Sequence, residues 1–302
     1  MNTKSGYVTI IGKPNVGKST LMNELLGERL SIITSKPQTT RKRVLGILTE
    51  EEYQIIFLDT PGILDPSYLL QEKLLQYIEI SVNDADILVV IIDMSYERNA
   101  EETFEDELVS RVLKNPHIKK IAVLNKIDVT DKTKIDQLTN AIETRNIFDH
   151  VIPISALKKF NIETLKNAIV DLLPIGPKYY PDDQITDEPE RFFVSEIIRE
   201  KVFLTYKEEI PFSTEVVIDE FKENENRKDF ISASIIVERD SQKPIIIGKK
   251  GDAIKKVGKY AREAIEIFLQ REVYLELHVK VKSKWRSNPN LLKSFGYNID
   301  ES

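Results

Sequence analysis

The octapeptide Gly12-Lys13-Pro14-Asn15-Val16-Gly17-Lys18-Ser19 sets a lysine and a hydroxyl directly behind the second of two glycines, and Thr20 follows. An apolar run, YVTII, precedes it, and a helix-length segment, residues 18–28, comes after. At that spacing the glycines let backbone N–H groups turn inward around phosphate oxygens, and the start of a helix adds a favourable dipole. Lys18 would reach the β- and γ-phosphates, and Ser19 would ligate Mg²⁺.

Three later stretches supply what such a loop lacks, in chain order. In FLDTPG, Asp59 is placed to hold Mg²⁺ through water and the Gly62 N–H to meet a γ-phosphate, with Thr60 and Pro61 between them. In VLNKID, Asn125 and Lys126 precede Asp128, whose carboxylate matches the N1–H and exocyclic amine of guanine. Adenine has no N1–H, so the same carboxylate would be left unpaired, which selects GTP over ATP. In ISAL, the backbone of Ser155 and Ala156 would support the base, with Leu157 beside it.

A second glycine–lysine loop, Gly248-Lys249-Lys250-Gly251, is shorter and has no trailing Ser or Thr. A strand-like apolar run, Ile245, Ile246 and Ile247, leads into it, and a lysine-flanked helix over 252–269 leads out. The arrangement resembles a type II KH domain, and that resemblance implies that Lys249 and Lys250 would meet phosphates and that Ile245–247 and Ile254 would help line an apolar groove. Lys255, Lys256, Lys259 and Arg262 extend the positive surface or form only its solvated face.

Residues 241–302 carry 13 Lys+Arg against 7 Asp+Glu, net +6; the remainder carries 30 against 42, net −12, within an overall −6. A basic end on an acidic chain points to an anionic partner for that end.

These loops need rigid elements behind them. Up to about residue 173 the apolar runs YVTII, RVLGIL, YQIIFL, ILVVII, KIAVL and VIPI alternate with helix-length segments at 67–82, 100–114 and 134–145. That alternation predicts an α/β domain over 1–173, a mostly parallel sheet with helices on both faces and ligands at the strand carboxyl ends. Residues 174–190 hold four prolines and five acids and predict an extended linker. Residues 191–302 order as helix, strand, strand, helix pair, strand, a smaller α+β domain with a tail. The tail, with the only Trp, either packs the last strand or adds contacts to the anionic partner. Cysteine is absent among the 302 residues, which excludes thiol chemistry, disulfides and cysteine-ligated metal. The longest apolar run is six residues, without a signal-peptide pattern, so a cytoplasmic protein is expected.

GxPNxGKS, DTPG, NKxD and SAL together resemble a translation-factor-related GTPase. One such domain followed by the α+β region resembles the bacterial Era family over nearly the whole chain, and the second loop resembles that of a type II KH domain, whose GxxG clamps about four single-stranded nucleotides. The resemblance implies a GTP-hydrolysing switch using GTP/GDP and Mg²⁺. Residues 35–43, SKPQTTRKR, would be switch I, with Thr40, or its neighbour Thr39, closing on Mg²⁺ and the γ-phosphate. Lys18, Thr40 and Gly62 form the expected catalytic set. Ile63 stands where Ras-like enzymes carry a water-orienting glutamine, so hydrolysis should be slow unaided and depend on potassium or a partner. Asn15 matches an asparagine that in some relatives helps bind K⁺, and equally suits a turn. The implied partners are the 3′ end of 16S rRNA and the 30S subunit, bound by a monomer. The alternative is a nucleotide-regulated module peripheral to the inner face of the cell membrane, its basic region on anionic lipid.

Overall fold

A computed structural model describes residues 3–96, 98–225 and 227–297. Its elements run β1 (Lys4–Ile11), α1 (Lys18–Leu26), β2 (Val44–Thr49), β3 (Tyr53–Asp59), α2 (Leu69–Asn83), β4 (Ile87–Asp93), α3 (Asn99–Glu105), α4 (Glu107–Leu113), β5 (Lys119–Asn125), α5 (Lys132–Glu143), β6 (His150–Pro153), α6 (Ile162–Leu172) and α7 (Glu190–Thr205). There follow β7 (Glu215–Lys222), β8 (Asp229–Val237), α8 (Gln242–Ile247), α9 (Asp252–Leu269), β9 (Val273–Val281) and α10 (Pro289–Ser294). Contacts divide the chain into two compact units: Met1–Asp65 with Leu74–Asp187, and Pro66–Lys73 with Glu188–Ser302.

The first unit is a six-stranded sheet of order β2-β3-β1-β4-β5-β6. Every neighbouring pair is parallel except β2 with β3. β4 is buried at all positions, as a strand covered on both faces must be, which is why ILVVII shows no alternation. The segment expected as one helix over 100–114 is two. Asp106 takes an extended conformation between them, and its carboxylate accepts from Val109 N at 3.2 Å to start α4.

The expected linker differs more. Gln54, fully buried, accepts from Tyr179 N (2.8 Å) and Tyr180 N (2.9 Å) and donates to Tyr180 O (2.9 Å). Further along, Ile47 N donates to Ile185 O at 2.9 Å, and the Thr186 hydroxyl donates to Leu45 O at 2.7 Å. Residues 174–187 therefore belong to the first unit: Pro174 and Gly176 bond to the start of β1, Tyr179 and Tyr180 to Gln54 of β3, and Ile185 and Thr186 to the open edge of β2.

The second unit has a three-stranded sheet, β7-β8-β9, antiparallel then parallel, with α8 and α9 forming the crossover between β8 and β9. Val194, Ile198 and Val202 of α7 meet Val257, Ala261 and Ile265 of α9 over Ile231, Ala233 and Ile235 of β8. The run Ile245–247, expected as strand-like, is helical. Pro244 sits near the helix start, where a missing N–H costs nothing, and Gly248 ends it. The tail packs: Trp285 is fully buried with Nε1 donating to Ser213 O at 2.9 Å, and the Tyr297 hydroxyl donates to Glu215 at 2.6 Å.

Candidate nucleotide site and basic groove

The first loop leaves β1 at Gly12 and enters α1 through Gly17, which is left-handed (φ 104°). A Cβ on Gly17 would lie 2.4 Å from Asn125 Nδ2, so the loop passes that side chain only as glycine. Asn125 in turn donates to Val16 O (2.8 Å) and accepts from Ala156 N (2.9 Å), tying three loops together. α1 has no side-chain cap, so its first amides face the loop's hollow.

Inside that hollow, Lys18 Nζ donates to Gly12 O (3.0 Å) and Lys13 O (2.9 Å). Burial lowers its pKa to about 8, opposed by the Asp59 charge. Burial likewise raises the Asp59 pKa, against hydrogen bonds and the Lys18 charge that favour the ionised form. Ser19 Oγ donates to Asp59 at 2.7 Å and lies 2.9 Å from Thr40 Oγ1, which is 3.5 Å from the same Asp59 oxygen. Two hydroxyls and a carboxylate converging in this way form a hard-oxygen set that fits Mg²⁺.

Thr39 is placed differently from Thr40. Its hydroxyl donates to Lys36 O (2.7 Å) and lies 2.6 Å from Thr34 Oγ1, holding the loop's own turn. Asn15 is left-handed (φ 62°) and its amide donates to Ser35 O at 3.0 Å, so it is a turn residue that also joins the first loop to the Thr34–Thr40 stretch. Ile63 N donates to Gly12 O at 3.1 Å and holds Gly62 against Pro14, while the Ile63 side chain is buried with Ile11, Ile78, Val82 and Leu88. The Thr60 hydroxyl donates inward to Ile10 O, a structural bond rather than one to a ligand.

Around the base end, the Ser155 hydroxyl donates to Asp128 at 2.6 Å and fixes the carboxylate. Lys126, itself left-handed, meets Asp93 at 2.5 Å. A cavity of about 460 Å³ joins these pieces, lined by Lys18, Ser19, Thr20, Thr40, Gly62, Asn125, Lys126, Asp128, Ala156 and Leu157 among others. Gly12, Lys13, Val16, Asp59, Pro61 and Ser155 are not among its lining residues. Sequence reasoning missed Asp93, Ile32, Ile33 and Val129. The last three line the cavity and offer apolar walls to a base; the pair Ile32-Ile33 beside a polar loop was the available signal.

In the second unit, Gly248 (φ 73°, ψ 178°) takes a conformation open to glycine, and a Cβ there would fall 2.6 Å from that of Ala253. Lys249 and Lys250 are exposed at the uncapped start of α9. Beside them a groove of about 400 Å³ runs between α9 and β9, with Ile254, Leu275 and Leu277, the cations Lys255, Lys259 and Arg262, and the acid Glu276 on its walls around Gly258. Ile246 is fully buried in the core, and its carbonyl accepts from the Tyr206 hydroxyl, so of the three isoleucines it cannot line a groove. Lys256 is exposed on α9 outside the groove walls, with its ammonium 5.9 Å from the Tyr260 ring centroid.

The 50S ribosome-binding GTPase family matches residues 7–126, and the KH domain family matches 209–286. GTPase Era of Clostridium kluyveri is 46% identical over 294 residues, 97% of this chain and 99% of its own length. GTPase Era of Clostridium botulinum is 44% identical with 97% and 98% covered. The crystal structure of a single-substitution variant of Aquifex aeolicus Era bound to GDP·AlF₄⁻ superposes with a TM-score of 0.91 at 42% identity, over 98% of this chain and all of that one. That of Era in complex with MgGDPNP and nucleotides 1506–1542 of 16S ribosomal RNA gives 0.92 at 42%, with the same coverage.

Proposed function

Because the chain belongs to the Era family of GTPases, we propose that it is a GTP-hydrolysing switch whose second unit grips the 3′ end of 16S rRNA during 30S assembly. The observation that carries the first half is the convergence of Ser19, Thr40 and Asp59 oxygens beside buried Lys18, in a cavity that ends at Asp128. The second half rests on the cationic groove beside Gly248–Gly251 and on the relative bound to that RNA.

The loop amides and the N-terminus of α1 bind the phosphates. Lys18 exchanges its two carbonyl partners for β- and γ-oxygens. Mg²⁺, when bound, neutralises charge developing between those phosphates, and Ser19, Thr40 and Asp59 would hold it, Asp59 through water. The Gly62 N–H meets the γ-phosphate. Position 63 offers the attacking water no polar group, so unaided turnover is slow. K⁺ at Asn15 is a further candidate, joined to the Thr34–Thr40 stretch by the bond to Ser35. A 30S partner implies work in the cytoplasm. Among the described residues no helix is long and apolar enough to cross a membrane, and no observation favours lipid over RNA in the groove.

Titration with fluorescent nucleotides tests the base reading. GTP and GDP should bind with micromolar-class affinity and ATP at least ~100-fold more weakly. Asp128→Asn should move the preference to xanthine nucleotides, because an amide donates to xanthine's extra carbonyl where a carboxylate is repelled. Equal affinity for ATP and GTP would contradict it.

A further inference from the structure

Gly258 stands inside α9, where glycine is among the least favourable residues because its unfolded backbone is the freest. Close packing is the usual reason for keeping one. At Gly46 an added Cβ would fall 2.4 Å from Leu26, and at Gly248 2.6 Å from Ala253. At Gly258 it would meet nothing nearer than Leu277 Cδ1 at 3.5 Å, an ordinary contact. The fold therefore has room for alanine there.

The missing side chain opens onto the groove between α9 and β9. Residues 254, 255, 258, 259 and 262 share one helical face, since three- and four-residue steps bring side chains together. Gly258 is the bare centre of that face. Ile254, Leu275 and Leu277 give it an apolar floor, and Lys255, Lys259 and Arg262 outnumber the single acid, Glu276, to give a net cationic rim. A flat base with charged phosphates on either side matches this arrangement: the ring lies on exposed helix backbone and the phosphates meet the rim.

We propose that Gly258 is a specificity-determining position of the RNA groove, seating one base of the bound strand directly against the backbone of α9. This rests on the RNA-binding reading of the second unit. A Cβ at 258 lifts that base off its seat while leaving the neighbouring phosphate contacts in place.

The test uses the full chain, the RNA of nucleotides 1506–1542 of 16S rRNA, and copies of it made abasic at one nucleotide at a time. Gly258→Ala should keep or raise the thermal midpoint, keep GTP affinity, and weaken binding of the intact RNA by about tenfold, within the range that single base contacts are worth. At one abasic position, the nucleotide seated on Gly258, wild type and variant should bind alike. At the others the gap should persist. A variant that binds the intact RNA as wild type does, or a gap present at every abasic position, overturns the assignment. Lys249→Asp with Lys250→Asp is run beside it. If that pair also binds normally, the RNA reading itself fails; if it loses RNA while Gly258→Ala does not, only the assignment of Gly258 fails.

Discussion

At the scale of single residues, burial sets Lys18 and Asp59 against their own charges; Asp59 relieves Lys18, while the Ser19 hydroxyl and then Lys18 relieve Asp59. The β-phosphate of a bound guanine nucleotide adds negative charge beside Lys18 and so raises its pKa from about 8. Below that value free and bound forms are both protonated and Lys18 contributes no pH dependence. Above it the free protein is neutral at Lys18 and the complex charged, so binding takes up a proton and weakens as pH rises. Calorimetry of GDP binding near pH ~8.5, in buffers of different ionisation enthalpy, should show this uptake, and Lys18→Arg, which cannot deprotonate in this range, should abolish it. Uptake equal in both proteins would place the titrating group elsewhere. The loop residues were legible in the sequence because their spacing along the chain is itself the geometry that phosphate requires. Thr40 over Thr39, the Asp93 partner of Lys126, and the turn of Lys256 toward Tyr260 were not, because each depends on which neighbour tertiary packing brings close.

At the scale of elements, a mostly parallel sheet with the motif loops at its strand ends followed from alternation alone, whereas the order of its strands came only with the structure. What alternation missed has local causes. Three consecutive isoleucines carry no period, so only the helix's proline near its start and glycine at its end identify α8. A single helix over 100–114 was the natural reading until Asp106 capped a second one. Residues 174–187 look like a linker by composition, yet the side chain of Gln54 binds their backbone. The element that follows DTPG also changes how Ile63 is understood. Its side chain is 2% exposed within an apolar cluster, so it is a core residue as well as a missing glutamine. Ile63→Ala should therefore lower stability by roughly 2–5 kcal/mol, read as a fall of several degrees in the thermal midpoint. Turnover per folded molecule should stay within a few-fold, because no polar group is lost. A turnover loss of orders of magnitude in protein shown to be folded would mean that position 63 orients the water after all.

At the scale of the whole molecule, the charge asymmetry legible in the sequence matches a division of labour between two glycine–lysine loops. In the first unit Lys18 is buried in the loop and Lys13 lies 3.8 Å from Asp106, while cations such as Arg111, Lys119 and Lys166 are paired with surface acids. The basic end exposes its lysines along a groove. The central claim is that these loops bind different ligands: a nucleotide in the first and an RNA backbone in the second. Affinity of Lys249→Asp with Lys250→Asp for the 16S fragment, measured across a salt series alongside GTP affinity and circular dichroism, tests it most directly. The folded variant should bind RNA at least ~tenfold more weakly at moderate salt, with a shallower salt dependence because fewer counterions are released. Its GTP affinity should be unchanged. A folded variant that binds RNA normally while its GTP affinity collapses would assign the second loop to the nucleotide and contradict the claim.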